Sequence, residues 1–186
     1  MGADRTARGS AAPAGLADFD LAALHRAMDG QRAARGLTWQ RVAREINNTF
    51  EGVKTARPVA ASTLTGMPSR TSVEGNVVLL VLRWLDRTPE SFIPNHPAPT
   101  APGTALPRLP PDRILRWDLQ ALFATTDAQR RQHGLTWKQV ADEIEGFTPG
   151  MLTGLAKARH TGFPQVMRLV TWLGQPAVSF TAERSR

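Results

Sequence analysis

The sequence predicts an all-α protein built from two tandem copies of one small helical domain, joined by a proline-rich linker. Three observations lead to this prediction. The stretch GLTWQRVAREI recurs as GLTWKQVADEI 98 positions later, and apolar residues recur at helical spacing in both copies. No alternation of period two is long enough to indicate a sheet.

The repetition extends well beyond these two stretches. At an offset of 98, residues 20–46 match residues 118–144 at 15 of 27 positions. Farther along the chain the offset becomes 88, and LTG at 64–66 then matches LTG at 152–154. Later WL and SF pairs match in the same order. The change of offset places ten extra residues in the first copy, within 47–58.

The matches divide the chain into five segments. Seven of the fourteen prolines fall between the two copies, which excludes a helix or an interior strand there. As an extended polyproline strut this linker would reach roughly 55 Å, and folding back onto the domains is the alternative that the sequence leaves open. The predicted segments are a flexible leader at 1–17, a first domain at 18–93 with an insertion at about 47–57, the linker at 94–111, a second domain at 112–181 and a tail at 182–186.

The first two helices of each copy are predicted from spacing and capping residues. In the first copy an apolar stripe runs through residues 21–28, and Gly36 ends the helix. Thr38 is a suitable N-cap for a second helix, whose apolar positions follow the i, i+3, i+4, i+7 pattern from Trp39 to Ile46.

Two further helices and a closing turn follow in each copy. Thr148 and Pro149 form an N-cap and first-turn pair for the third helix of the second copy, and Ala60 or Ser62 begins its counterpart. A fourth helix carries WL near its end. A last turn then places Phe92, or the equivalent phenylalanine of the second copy, in the core.

The second and third helices of each copy form a predicted helix-turn-helix, whose third helix presents its outer face to a major groove about 12 Å wide. Both copies resemble the repressor-type helix-turn-helix of the xenobiotic-response-element and Cro family, in an actinobacterial style with RGLTW, VAxEI, STLT and a closing WL…F. The resemblance covers residues 18–93 and 112–181. It implies five helices per domain and transcriptional regulators that read operator DNA as dimers.

The resemblance places the base-reading positions at the start of the third helix. The bidentate glutamine, arginine or asparagine side chains that discriminate bases in this family do not occur there, and the hydroxyls can make only single hydrogen bonds or methyl contacts. The two glycines that follow LT imply close approach either of DNA or of another protein helix, because helical glycine costs ~1 kcal/mol relative to alanine. The predicted base-facing residues are Ala61, Ser62, Thr65, Gly66, Pro149, Gly150, Thr153 and Gly154.

Phosphate contacts are better supplied than base contacts. Arg32 and Arg130 occupy equivalent positions at the end of the first helix, exposed by their spacing, where the family often binds the DNA backbone. Any one such side chain is an ordinary surface cation, but the set lies on one side of a helix-turn-helix and favours DNA. The predicted phosphate contacts are Arg32, Gln40, Arg41, Arg44, Arg70, Arg130, Lys138, Gln139, Lys157, Arg159 and His160.

The insertion in the first copy has two possible consequences for DNA binding. It adds Lys54 and Arg57 as further phosphate contacts, or it blocks entry into the groove. We therefore expect the second copy to be the more regular DNA reader.

Composition favours a polyanionic partner and gives no sign of an active site. The net charge is +7, from 23 Lys and Arg against 16 Asp and Glu. With no cysteine, disulfides, thiolate metal sites and cysteine nucleophiles are excluded, and the four histidines lack metal-ligand spacing. No apolar run approaches the ~20 residues of a membrane span. We expect a non-enzymatic protein without cofactor, metal or membrane contact, located in the cytoplasm with the nucleoid.

The sequence thus predicts a sequence-specific, double-stranded DNA-binding transcriptional regulator whose tandem domains act as a pseudo-dimer on two half-sites. A homodimer or another protein is a further candidate partner. The alternative is a protein-interaction module with degenerate helix-turn-helix domains, which the glycines and the few base readers favour.

Overall fold

The computed structural model describes residues 18–54, 56–94, 105–158 and 161–185. Over these ranges the chain is mostly helical, with eight α-helices and one small two-stranded sheet. The mainly helical class predicted from the sequence is confirmed. Among the described helices, none combines the length and apolar character that a membrane span requires.

The helices follow one another in the same order in both sequence repeats. Four α-helices occur in each, and short 3₁₀ segments follow the third and the fourth. The helices are α1 (Leu21–Ala34), α2 (Trp39–Asn48), α3 (Ala61–Thr65) and α4 (Gly75–Leu85), then α5 (Leu119–Gln132), α6 (Trp137–Glu143), α7 (Pro149–Gly154) and α8 (Phe163–Leu173). The 3₁₀ segments are Met67–Ser69, Pro89–Phe92, Leu155–Lys157 and Ala177–Phe180.

The first helix of each repeat begins and ends in the same way. Asp20 caps α1 by accepting a hydrogen bond from Ala23 N at 2.7 Å, and Asp118 caps α5 in the equivalent manner. Beyond the other ends, Gly36 and Gly134 have φ values of +62° and +66°. Only glycine adopts this left-handed conformation readily, so the helix stops predicted from the sequence have a physical cause.

Equivalent polar contacts tie the first helix of each repeat to the fourth. The Gln31 side-chain amide donates to the backbone oxygen of Trp84 at 3.0 Å. At the equivalent positions, Gln129 donates to the backbone oxygen of Trp172 at 3.2 Å. The two repeats therefore share their tertiary contacts as well as their helix order.

The apolar interiors of the two repeats are continuous and form one cluster. Leu24 and Ile46 in the first repeat and Ile144 in the second have no exposed surface, which confirms these predicted core positions, and Leu122, the counterpart of Leu24, is equally buried. Burial of apolar side chains in one shared interior is the main force that holds the repeats together.

The repeats meet through a reciprocal pair of backbone hydrogen bonds. Gly75 N donates to Thr161 O at 2.9 Å, and Phe163 N donates to Val73 O at 2.9 Å. At the offset of 88, Gly75 aligns with Phe163 and Val73 aligns with Thr161. The two hydrogen bonds therefore join equivalent residues in opposite directions. This reciprocity is the property of a two-fold, isologous contact. A local pseudo-two-fold axis at this contact therefore relates residues 73–75 to residues 161–163.

The side chains at equivalent positions of this contact differ in size between the repeats. On one side Phe19 packs edge-on against Phe163, with ring centroids 4.4 Å apart. At the equivalent positions Trp117 lies over Gly75 and donates its indole N–H to Gly75 O at 3.1 Å. A methyl group on Gly75 would lie 2.8 Å from Trp117 Cδ1. Two phenylalanines on one side thus correspond to a tryptophan and a glycine on the other.

The small sheet was not expected from the sequence. Ile114–Trp117 (β1) pairs antiparallel with Thr181–Arg184 (β2), so residues 182–184, which the sequence assigned to a tail, form most of the second strand. Strands of four residues are too short to show a period-two pattern.

The linker and the insertion both contact the body of the protein. Leu106 and Leu109 pack against the core, while residues 95–104 of the linker lie outside the described ranges. Within the insertion Phe50 and Val53 are buried. Gly52 N donates to Pro111 O at 3.0 Å, so the insertion supports the end of the linker.

Candidate nucleic-acid interface

A third helix packs against a second helix in each repeat, as a helix-turn-helix requires. The connection from α2 to α3 is long and includes the insertion. The connection from α6 to α7 is short and ends at Thr148, whose hydroxyl caps α7 by accepting from Met151 N at 3.2 Å.

Most of the predicted base-facing residues lie on the surface. Ser62 and Thr65 on α3 and Gly150, Thr153 and Gly154 on α7 are exposed. Pro149, at the start of α7, is exposed as well. Ala61 and Gly66, at the two ends of α3, are half-buried.

The hydroxyls on this surface already donate to their own helices. Thr65 Oγ1 donates to Ser62 O at 3.4 Å, and Thr153 Oγ1 donates to Pro149 O at 3.1 Å. Both residues are exposed, and a threonine hydroxyl that donates can still accept from a base amine, while its methyl group can contact a thymine methyl.

The two glycines after LT differ in their surroundings. A methyl group on Gly66 would lie 3.1 Å from Ser62 O and close to the Arg70 guanidinium, so local crowding disfavours a side chain. A methyl group on Gly154 would meet no described atom within 4 Å. Packing against another described helix therefore does not account for Gly154, and the space in front of it is open to a partner.

The cations beside α3 are free to contact phosphate. Thr38 caps α2 by accepting from Arg41 N at 3.2 Å, and Gln40, Arg41 and Arg44 project from this helix as exposed side chains. Neither Arg41 nor Arg44 makes an ion pair with a described residue.

The surface of α6, which corresponds to that of α2, is less basic. Lys138 Nζ pairs with Asp142 Oδ2 at 2.8 Å, and this hydrogen bond raises the pKa of the lysine. Gln139 Oε1 accepts hydrogen bonds from Thr136 N and Oγ1 in a capping box. Both predicted contacts on α6 are exposed, but each is held in local structure.

Arg32 and Arg130, predicted as phosphate contacts, are less exposed than their spacing indicated. Their side chains retain only 25% and 20% of their exposure. Arg32 donates to Asp29 Oδ1 at 2.8 Å and to Leu37 O at 2.8 Å, and its guanidinium lies 5.1 Å from the Trp39 ring. Arg130 repeats these contacts in the second repeat. Both arginines fix the turn between the first and second helices.

The remaining predicted cations follow the third helices or belong to the insertion. Arg70 and Lys157 are exposed, as are Lys54 and Arg57. Arg159 and His160 lie outside the described residues.

One surface feature had not been predicted. Met151 on α7 is 44% exposed, and it is the largest apolar side chain left open among the described residues. Its counterpart in the first repeat, at the offset of 88, is Thr63. The replacement of a polar residue by methionine at this position was the sequence feature that could have indicated the exposed apolar side chain.

Nothing within the described residues favours a metal centre, since no group of three or more His, Asp or Glu side chains converges there.

Comparison of the chain with models of protein families, with curated proteins and with solved structures finds no match. The resemblance to the repressor family therefore rests on the residues quoted above.

Proposed function

We propose that this protein is a sequence-specific, double-stranded DNA-binding transcriptional regulator in which two tandem helix-turn-helix domains, 18–93 and 112–181, act as a built-in pseudo-dimer. The observation that carries the proposal is the reciprocal hydrogen-bonded contact between Val73–Gly75 and Thr161–Phe163. A two-fold relation between two related readers is the arrangement that matches an inverted pair of similar DNA half-sites.

Shared packing fixes how the two readers face DNA. A flexible linker would allow direct or inverted half-sites at many separations, whereas repeats that share one interior present one geometry. We expect half-sites in inverted orientation at a single spacing, on the order of 34 Å between centres or a multiple of it.

Charge supports backbone binding mainly through the first repeat. Arg41, Arg44 and Arg70 are exposed around α2 and α3, whereas Lys138 is paired with Asp142 in the second repeat. Base reading would rely on Ser62, Thr65 and Thr153 together with close approach of the backbone at Gly154. Such contacts provide modest discrimination per base pair, so most of the affinity comes from phosphate contacts.

Salt-dependent binding tests this proposal. Fluorescence anisotropy of labelled duplex DNA should give a slope of log K against log salt near −0.9 per phosphate contact. Arg41→Ala with Arg44→Ala should reduce the magnitude of this slope by about 2. Arg26→Ala with Arg108→Ala removes the same charge from exposed positions on α1 and the linker, and should leave the slope nearly unchanged. Absence of binding at low salt, or equal losses in both double variants, would refute the assignment.

A second candidate function is supported by the exposed α7 surface. Met151 lies between Gly150 and Leu152 on a helix whose outer face carries no cation, and such a surface suits contact with another protein. In that case Met151→Asp should abolish capture of the partner in a pull-down. Met151→Ser, which changes no charge, should also weaken capture of the partner and should leave the salt slope for DNA unaltered.

A further inference from the structure

A cavity of about 530 Å³ lies where the first repeat meets β1 of the second repeat. Val59, Val77, Leu80 and Ile114 contribute its apolar walls. Two arginines also line it, the exposed Arg57 and the half-buried Arg116. Its volume falls within the range of small-molecule sites, which are mostly apolar with a few fixed polar groups.

The pseudo-two-fold axis relates this cavity to a site that a side chain fills. Leu80 corresponds to Arg168, and Arg116 corresponds to Asp18. At that second position Arg168 makes a bidentate ion pair with Asp18, with N–O distances of 2.6 and 2.7 Å. It also donates to Glu145 O at 2.7 Å. The guanidinium thus occupies the middle of the site, between residue 18 and residue 145.

Charges at the cavity are reversed relative to this filled site. Arg116 stands at the position of Asp18, and Arg57, at the end of the insertion, adds a second cation to the lining. Leu80, which is 4% exposed, takes the position of Arg168 and carries no charge. The filled site has a central cation held by the Asp18 carboxylate and the backbone oxygen of Glu145, whereas the cavity has flanking cations and an apolar centre.

The carboxylate of Glu74 reduces this positive charge without removing it. Glu74 lines the cavity and accepts a hydrogen bond from Asn76 N, as the N-cap of α4. Among the described residues, the ionisable groups that line the cavity are one carboxylate and two guanidinium groups, which give a net positive lining.

We propose that this cavity binds a small organic anion with an apolar body, whose carboxylate lies between Arg57 and Arg116. The apolar body would pack on Val59, Val77 and Leu80. Guanidinium groups suit this role because they form paired, charge-assisted hydrogen bonds with a carboxylate. A bound molecule would contact both repeats, since Leu80 belongs to the first and Arg116 to the second. The proposal is independent of DNA binding, and its test uses the protein alone.

Isothermal titration calorimetry with 2-naphthoate tests the site, and 2-naphthylmethanol serves as a neutral probe of similar shape. We expect one naphthoate per chain and an affinity at least about tenfold above that of the alcohol, because the charge-assisted hydrogen bonds are lost with the alcohol. Absence of naphthoate binding, or equal affinity for the two compounds, would overturn the proposal.

A charge-swapped variant locates the binding. Leu80→Arg with Arg116→Asp rebuilds the Arg168–Asp18 pair inside the cavity and should abolish naphthoate binding. Arg113→Ala, at an exposed position just before β1, is the matched control and should bind like the parent protein. Circular dichroism verifies folding of each variant. If the double variant does not fold, Arg116→Leu replaces it and should bind about tenfold more weakly. Parent-like affinity in a folded cavity variant contradicts the assignment.

Discussion

Replacement of Phe163 by alanine tests whether the two repeats fold as one unit. Phe163 begins α8 in the second repeat and has no exposed surface. Its ring lies 4.4 Å from that of Phe19 in the first repeat and 5.7 Å from that of Trp117 in the second. The substitution removes the ring from both contacts and retains the backbone hydrogen bond to Val73 O.

The expected loss of stability is about 3–5 kcal/mol, the range for truncating a fully buried phenylalanine where the surroundings relax only partly. Relaxation is limited here, because Phe19 and Trp117 are themselves buried and in contact with other core residues. Urea unfolding followed by far-ultraviolet circular dichroism measures this loss. Met151→Ala on the exposed surface of α7 is the control and should change stability by at most about 0.5 kcal/mol.

Amide hydrogen exchange then shows whether the loss is shared. Because the interior is continuous, amides of α1 and of α5 should lose protection by similar amounts in the Phe163 variant. The reasoning is refuted if stability falls by less than about 1 kcal/mol. Loss of protection confined to the second repeat would refute it as well, since α1 would then fold independently of the contact.

Two further predictions concern His25 and Gly75. Burial lowers the pKa of His25 below its ordinary value of 6.5, so as pH falls through 6.5 the unfolded chain takes up the proton first and stability declines. His25→Phe, which copies Phe123 of the second repeat, should abolish this decline in urea titrations above and below that pH, and an unchanged decline would exclude His25 as its cause. Gly75→Ala places a methyl group 2.8 Å from Trp117 Cδ1 and should cost about 1–3 kcal/mol. Gly154→Ala, in open space, should be neutral or stabilising by up to about 1 kcal/mol, and equal losses in the two glycine variants would contradict the crowding at Gly75.

The repeat made much of the fold predictable from the sequence. Each local feature occurs at equivalent positions in both copies, which supports its interpretation. Thr38 and Thr136 cap equivalent helices, and a glycine ends the preceding helix in both copies. Core positions such as Ile46 and Ile144 followed from helical spacing. These features depend on residues close together in the chain, which is why the sequence contained them.

The roles of Arg32 and Arg130 could not be obtained from spacing. A position near the end of an amphipathic helix indicates exposure, but both side chains fold back onto Asp29 or Asp127 and onto a tryptophan ring. Long arginine side chains adopt such contacts according to their three-dimensional surroundings, which periodicity does not describe.

The contact between the repeats was also beyond local patterns. Pairing of Val73–Gly75 with Thr161–Phe163 joins residues far apart in the chain, and the four-residue strands are too short to signal a sheet. A signal did exist in the aligned repeats, because Gly75 against Phe163 is a large difference in volume at equivalent positions. The cause of this difference is three-dimensional, because Trp117 lies over Gly75 and leaves no space for a side chain.

Selection from a pool of random duplex DNA by the full chain, followed by sequencing of the bound fraction, is the most direct test of the proposed pseudo-dimer. We expect enrichment of two related half-sites in inverted orientation at one fixed spacing, because the pseudo-two-fold contact holds the two readers in one arrangement. Half-sites enriched as direct repeats or at variable spacing, or no enrichment of any duplex, would contradict it.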